Sequence, residues 1–530
     1  MISTRIDVIP SYLAATRQME RCDLSGNGLQ SFEHRRKLRR TQWRLLMRRL
    51  PSFFPTDSVA ARRDFMLRLG QLGGAGLALP QLFEAKRASA RESDANPAAA
   101  PVPSARGGKA QACILVYLWG GPPQQDMWDM KPDAPEKIRS QFQPIDTAVP
   151  GMRICDQLPM MARHTDKMAI VRSLTHPSND HVHSVYHTLT GRDDPRLQGA
   201  LRQRRRSDFP CVGSVVSRFT KPGDLPATVT VPRPVGHDGV IYSGTYAGFL
   251  GGVFDPLELK VPGEVKALPA HSFELPEGLN QSRLGDRCSL LAQIEASQRA
   301  LDEKIRRGNS TLSAFRDQAA RMLTSGDAKR SFDLSQESEK MRDRYGRNEY
   351  GESFLLARRL VEAGVRLVTI VWDYITPSGD VANVWDNHGG TGSLGGIGGY
   401  AMLKEKYCLP PLDLGYSALL EDLQSRGLLD TTLVAMYGEF GRTPLINKNA
   451  GRDHWGAAQS AVFAGGGIRG GNIYGATDVH AAYPTDKPVS PEDMLATIYH
   501  GLGIRPDAEI RDGLGRPYRL VEGSPILELF

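Results

Sequence analysis

The chain has 530 residues, 40% hydrophobic and 24% charged, which is enough to bury a large core and too apolar for a disordered protein. Its formal charge of +7 is confined to the front: residues 1–50 carry a net +7 by themselves, and residues 91–530 sum to about −2. The body therefore lacks the basic surface that a nucleic-acid partner requires.

Residues 1–61 read as an N-terminal extension that includes the basic run HRRKLRR, with Met47 as an alternative start. Residues 62–90, RRDFMLRLGQLGGAGLALPQLFEAKRASA, join an arginine pair to a weakly apolar run and then to small residues. That order is twin-arginine signal-like, and the run is too short for a transmembrane span. The expected destination is the periplasm or the cell surface. Residues 91–110, rich in Ala, Pro, Ser and Gly, read as a linker.

From residue 111 onward, short β-branched runs alternate with amphipathic helical segments. ACILVYLWGGPP (112–123), MAIVRSLTH (168–176), RLVTIVWD (366–373) and TTLVAMYGEFG (431–441) are the predicted strands. SFLLARRLVEAG (353–364) and LGYSALLEDLQSRGLL (414–429) are predicted helices. In SPEDMLATIYHGLGI (490–504), Ser490 and Asp493 form a capping-box pattern around Pro491. The alternation predicts one α/β domain over 111–530 with a mostly parallel sheet covered on both faces, whose ligands belong at the C-terminal ends of the strands. Residues 205–280, rich in Pro and Gly, read as a loop-rich excursion covering a sheet edge, and 286–350 as a helical insertion. The six cysteines show no C-x-x-C spacing, which argues against a zinc knuckle and leaves one or two disulfides open.

Polar residues collect at the strand ends. Gln124 and Asp126 follow Gly120-Gly121 after the first strand. Asp386 and His388, two apart in WDNHGG, present both side chains to one side in extended backbone, where they can reach one cation. Glu439 and Arg442 follow another strand, and Asp453-His454 lies in a second Gly-bounded loop, so acid, imidazole and guanidinium suit a metal and an oxyanion, or else a buried Arg442–Asp453 pair. NDHVHSVYHTLTG (179–191) places His181 and His183 at a helix start, with His187 one turn beyond His183. An anion-binding or nucleophile-bearing helix start, a metal site and a satisfied helix face all fit that spacing.

In order, WGGPPQQDMWDMKP, RSLTHPSNDHVHSVYHTLTGR, VWDNHGG, LVAMYGEFGRTP, GRDHWG, AGGGIRGGNIYGATD and PVSPEDMLATIYHGLGI resemble the family known as domain of unknown function 1501. That family is similar to the alkaline phosphatase and sulfatase superfamily. The resemblance implies an alkaline phosphatase-like three-layer sandwich with a catalytic site of one or two metals at the strand ends. Superfamily nucleophiles start a helix nine residues before the Thr of a Thr-Gly, a position held here by His181, without hydroxyl or thiol. The superfamily's strand-end acid corresponds to Glu439, its histidine neighbour is replaced by Phe440, and Asp126 is the nearest substitute for the Asp ending the first strand.

The expectation is thus an exported sulfatase- or phosphatase-like hydrolase of small-molecule or glycan esters, or a binding protein on the same fold. A divalent metal (zinc, calcium and manganese being alike compatible) would sit on Asp386, His388, Glu439, Asp453 and His454. His181, His183 and Arg442 would be catalytic, with a possible first-strand site at Asp126 and Gln124.

Overall fold

The structure, a computed structural model, describes residues 108–199, 203–237, 239–259, 279–299, 306–375, 381–391 and 394–530. The extension 1–61, the signal-like segment 62–90 and the linker up to residue 107 lie outside the described residues. Among the described residues no helix is long and apolar enough to cross a membrane.

Eight strands form the central sheet: β1 (Ala112–Tyr117), β2 (Met168–Leu174), β3 (Thr228–Val231), β4 (Leu257–Glu258), β5 (Leu367–Val371), β6 (Thr432–Tyr437), β7 (Gln459–Ala464) and β8 (Asn472–Tyr474), in spatial order β8-β2-β7-β6-β1-β5-β3-β4. β1 pairs in parallel with both β6 and β5. β7 alone runs antiparallel to its neighbours, β6 and β2. The principal helices are α1 (His181–Thr190), α2 (Gln281–Arg299), α3 (Arg306–Thr324), α4 (Glu349–Glu362), α5 (Leu409–Ser425) and α6 (Pro491–Gly501).

Strand side chains alternate between faces, and β1 shows how this builds three layers. Ile114 and Val116 enter one core with Phe354, Leu355 and Leu419 of α4 and α5. Cys113, Leu115 and Tyr117 enter a second core with Val185, Leu189, Leu495 and Ile498 of α1 and α6. The whole of β1 is buried, as expected for a parallel strand covered on both sides. The α/β sandwich read from the sequence is therefore present.

The stretch 205–280 differs from its reading. It supplies β3 and β4, so it forms a sheet edge instead of covering one. These strands are four and two residues long and sit between prolines, below the length at which strand periodicity stands out. Helix α3 and most of α2, which begins at Gln281, fall in the stretch 286–350 read as a helical insertion. The capping box of α6 forms, with Ser490 and Asp493 exchanging side-chain and backbone bonds. Among the described residues the five cysteines are free thiols, four of them buried.

Candidate metal centre

β1, β5 and β6 run in parallel, so their C-terminal loops meet at one end of the sheet. α1 delivers its first residue, His181, to the same place. The side chain of Asp180 caps that helix by accepting from the His183 amide at 3.0 Å, and Gly191 ends it in the left-handed conformation.

The carboxylate of Asp386 is the centre of the cluster. Its Oδ1 lies 2.9 Å from Nε2 of His454 and 3.0 Å from Nε2 of His388, and its Oδ2 lies 3.3 Å from Nε2 of His181. Donor atoms of His181, Asp386 and His454 all fall within 4.8 Å of one another. His388 joins them, its Nε2 2.8 Å from that of His454.

Each imidazole is also held from behind. Nδ1 of His181 meets Oε1 of Glu439 at 2.7 Å, Nδ1 of His388 meets Oδ1 of Asp453 at 2.8 Å, and Nδ1 of His454 meets the Asn179 carbonyl at 2.8 Å. Carbonyls and ionised carboxylates only accept, so each Nδ1 carries the hydrogen and a neutral ring leaves its lone pair on Nε2. Three lone-pair positions thus face one carboxylate, the donor pattern of a metal site with its outer partners in place.

The electrostatics favour positive charge at this place, carried by protons on the rings unless another cation takes the Nε2 positions. Burial disfavours the charged form of His181, but Asp386 and Glu439 outweigh it and hold the ring up at about 9. Burial likewise works against the Asp386 anion, yet the Arg442 charge and the three imidazoles hold that carboxyl well below the usual range. His388 is raised, chiefly by its bond to Asp386. His454 is lowered by burial.

Arg442 is fully buried beneath the cluster. Its Nη2 donates to Asp386 Oδ1 at 2.7 Å, to the Trp385 carbonyl at 2.9 Å and to the Gly120 carbonyl. Its Nε donates to the Gly121 carbonyl and its Nη1 to the Arg452 carbonyl. The guanidinium binds the strand-end loops to one another and does not form the pair with Asp453 that the spacing allowed. Glu439 is equally buried, and its two oxygens accept from the Gly120 amide at 2.9 and 3.0 Å.

Other expected site residues lie elsewhere. His183 turns away to Asp193, 2.6 Å from Nε2, and His187 to Glu492 at 2.7 Å, so both belong to the buried face of α1. Gln124 accepts from the Arg442 amide at 2.8 Å and donates to the Arg442 carbonyl at 3.0 Å, while Asp126 pairs with buried Arg452 at 2.7 Å. They brace the centre from outside. The sequence reading missed Asn179 as a histidine partner, Arg452, and Tyr400, whose hydroxyl donates to Asp126 at 2.7 Å. For Asn179 a signal existed, its place beside the helix cap, but a backbone carbonyl acting across 275 residues leaves no mark in sequence.

The family described as "Protein of unknown function (DUF1501)" matches residues 110–530. The chain belongs to this family. No curated protein matches the chain in sequence. Among solved structures, this DUF1501 protein is similar to a sulfatase from Pseudoalteromonas sp. at 11% identity and a TM-score of 0.33, covering 81% of this chain and 72% of that one. It is similar to a phosphonate monoester hydrolase from Silicibacter pomeroyi at 12% identity and a TM-score of 0.34, covering 70% and 71%. A lipoteichoic acid synthase from Listeria monocytogenes stands at 10% identity and a TM-score of 0.31, covering 75% and 73%. No residue correspondence follows from likeness at that level.

Proposed function

We propose that this DUF1501 protein is an exported, metal-dependent hydrolase of sulfate or phosphate esters. One observation carries the reading: three imidazole Nε2 atoms and the Asp386 carboxylate point at one place at the strand ends. The residues that would hold a divalent ion are His181, Asp386 and His454, with His388 beside them. This replaces the ligand set expected from spacing, since Glu439 and Asp453 stand behind the rings. The imidazole-rich donor set fits zinc better than calcium or manganese, which favour oxygen ligands.

A bound divalent ion supplies a Lewis acid for an anionic ester and lowers the pKa of a water at neutral pH. The protein's own contribution is orientation. Glu439, Asp453 and the Asn179 carbonyl hold the Nδ1 protons, so that the three Nε2 atoms stay available, and Arg442 fixes the rotation of Asp386. Arg442 has each of its nitrogens engaged by protein oxygens, which makes it a support and not an oxyanion clamp.

Export is supported by the twin-arginine pattern of residues 62–90. A second reading, a binding protein that holds a metal and an anionic small molecule or glycan without turnover, is supported by His181 itself: the position expected for a nucleophile carries an imidazole held between two carboxylates. Metal analysis of the purified protein, with an aryl sulfate and aryl phosphate screen of wild type and Asp386→Asn, separates the cases. Turnover lost with the metal in Asp386→Asn supports the hydrolase, bound metal without turnover supports the binding protein, and absence of metal affinity from wild type defeats both.

A further inference from the structure

Five groups around the centre close into a ring. Glu439 Oε1 meets His181 Nδ1 at 2.7 Å, His181 Nε2 meets Asp386 Oδ2 at 3.3 Å, and Asp386 Oδ1 accepts from Arg442 Nη2 at 2.7 Å. Arg442 Nη2 donates to the Gly120 carbonyl, and the Gly120 amide donates back to Glu439 at 2.9 Å. Two wholly buried charges of opposite sign, Glu439 and Arg442, are therefore joined on one side by a single glycine's backbone and on the other by His181 and Asp386. Gly120 is needed for this closure. Its φ is +121°, and a Cβ there would lie 2.2 Å from the Asn383 side chain and 2.3 Å from the Asp386 amide.

We infer that Glu439 and Arg442 are the positioning residues of the centre, acting on a metal only through His181 and Asp386. The inference rests on the metal-centre reading above. Glu439 stands outside the ligand set because it is wholly buried behind His181, with Oε1 on that ring's Nδ1 and both oxygens toward the Gly120 amide, while the ring's Nε2 faces Asp386. What it controls is the rotation and tautomer of one ring, which selects the nitrogen facing Asp386. Arg442 does the same for the carboxylate: its nitrogens are fixed on four backbone carbonyls, so the Nη2 that binds Oδ1 stays in place, and Asp386 keeps Oδ2 toward His181 and Oδ1 toward the other two rings. A buried ion left without its partner is costly, so the two charges also tie their own strand end to the Gly120 and Trp385 loops.

The test uses the full chain with Glu439→Gln, Glu439→Ala and Arg442→Lys, each checked for folding by its urea midpoint. Zinc affinity is measured by competition with a chromophoric chelator, and the His181 ring is followed by nitrogen NMR of histidine-labelled, metal-free protein above its pKa of about 9, where the ring is neutral. Expected are a loss of zinc affinity of about 10- to 100-fold in Glu439→Gln, the range for outer partners of metal ligands, and a greater loss in Glu439→Ala. The His181 nitrogens should shift from a single Nδ1–H form toward a mixture in both Glu439 variants. Arg442→Lys, lacking the planar fork, should weaken zinc binding while leaving the His181 tautomer in place. A folded Glu439→Gln that binds zinc as wild type does, with unchanged His181 signals, overturns the inference. Should wild type bind no zinc, the functional reading falls, and the His181 signals alone decide the positioning role: shifted in Glu439→Gln they uphold it, unchanged they overturn it.

Discussion

His388 and His454 face each other with their Nε2 atoms 2.8 Å apart, and both nitrogens also lie within 3.0 Å of the same oxygen of Asp386. With both Nδ1 hydrogens committed elsewhere, two lone pairs and a carboxylate oxygen meet at a place that a proton or a cation must occupy to be stable. Replacing either histidine by alanine should therefore cost zinc affinity about 10-fold or more. Because the two nitrogens serve one position, the double variant should lose less than the sum of the singles. Strict additivity in that double-mutant cycle would show that the rings act at separate places.

Asp453 is more than half exposed and touches the centre only through His388 and Asn447. Asp453→Asn should leave the urea midpoint within about 0.5 kcal/mol of wild type, as surface changes do, and still weaken zinc binding about 10-fold. An unchanged affinity would mean that His388 needs no hold from behind.

His183 provides the opposite contrast. Its ring is buried against Asp193 and away from Asp386, so His183→Ala should cost about 1–3 kcal/mol of stability and leave zinc affinity unaltered. Weakened zinc binding in a folded His183→Ala protein would return this residue to the centre.

How much of this was legible in the sequence depends on reach. Asp386 and His388 could be paired because their spacing of two fixes their direction in extended backbone, and the strand ends could be located from β-branched runs ending in glycine. Glu439 was placed correctly at a strand end and read as a metal ligand, where the structure has it against His181 and the Gly120 amide. Nothing local reveals that its oxygens accept from the Gly120 amide, 319 residues away. His183 was grouped with His181 because both open a helix, yet residues two apart on a helix point in different directions, and the tertiary partner decides which one faces the site. Strands β3 and β4, the last two at one end of the sheet, escaped notice because so few residues carry no periodicity.

Buried charge outside the centre makes its own prediction. Asp126 and Arg452 are each about 1% exposed and paired at 2.7 Å, with Tyr400 donating to the same carboxylate. Asp126→Ala strands a buried guanidinium, and a loss of about 3–5 kcal/mol in chemical denaturation is expected. Loss of less than 1 kcal/mol would mean that the Ile138 and Thr443 carbonyls, which also accept from Arg452, satisfy it unaided.

Acid should act through His176. Burial lowers this imidazole from 6.5 to about 4, although its Nε2 donates to the Glu439 carbonyl at 2.6 Å. The unfolded chain takes up this proton below pH 6.5 and the folded protein only near 4. Stability is therefore full above 6.5 and declines toward pH 4 by about 3 kcal/mol from this group. His176→Gln should flatten the urea midpoint against pH between 6.5 and 4, and a slope equal to wild type would place the acid sensitivity elsewhere.

The glycine that closes the ring of contacts sits eight residues after the first described strand begins, and both charges it joins come more than three hundred residues later. A growing chain that has emerged as far as Trp385 owns Gly120 and His181 but neither Glu439 nor Arg442. No product that stops before Arg442 can close the ring, and one that stops before His454 still lacks a donor of the cluster. The cluster is therefore a late event in the life of each molecule, formed only once β6 has docked beside β1.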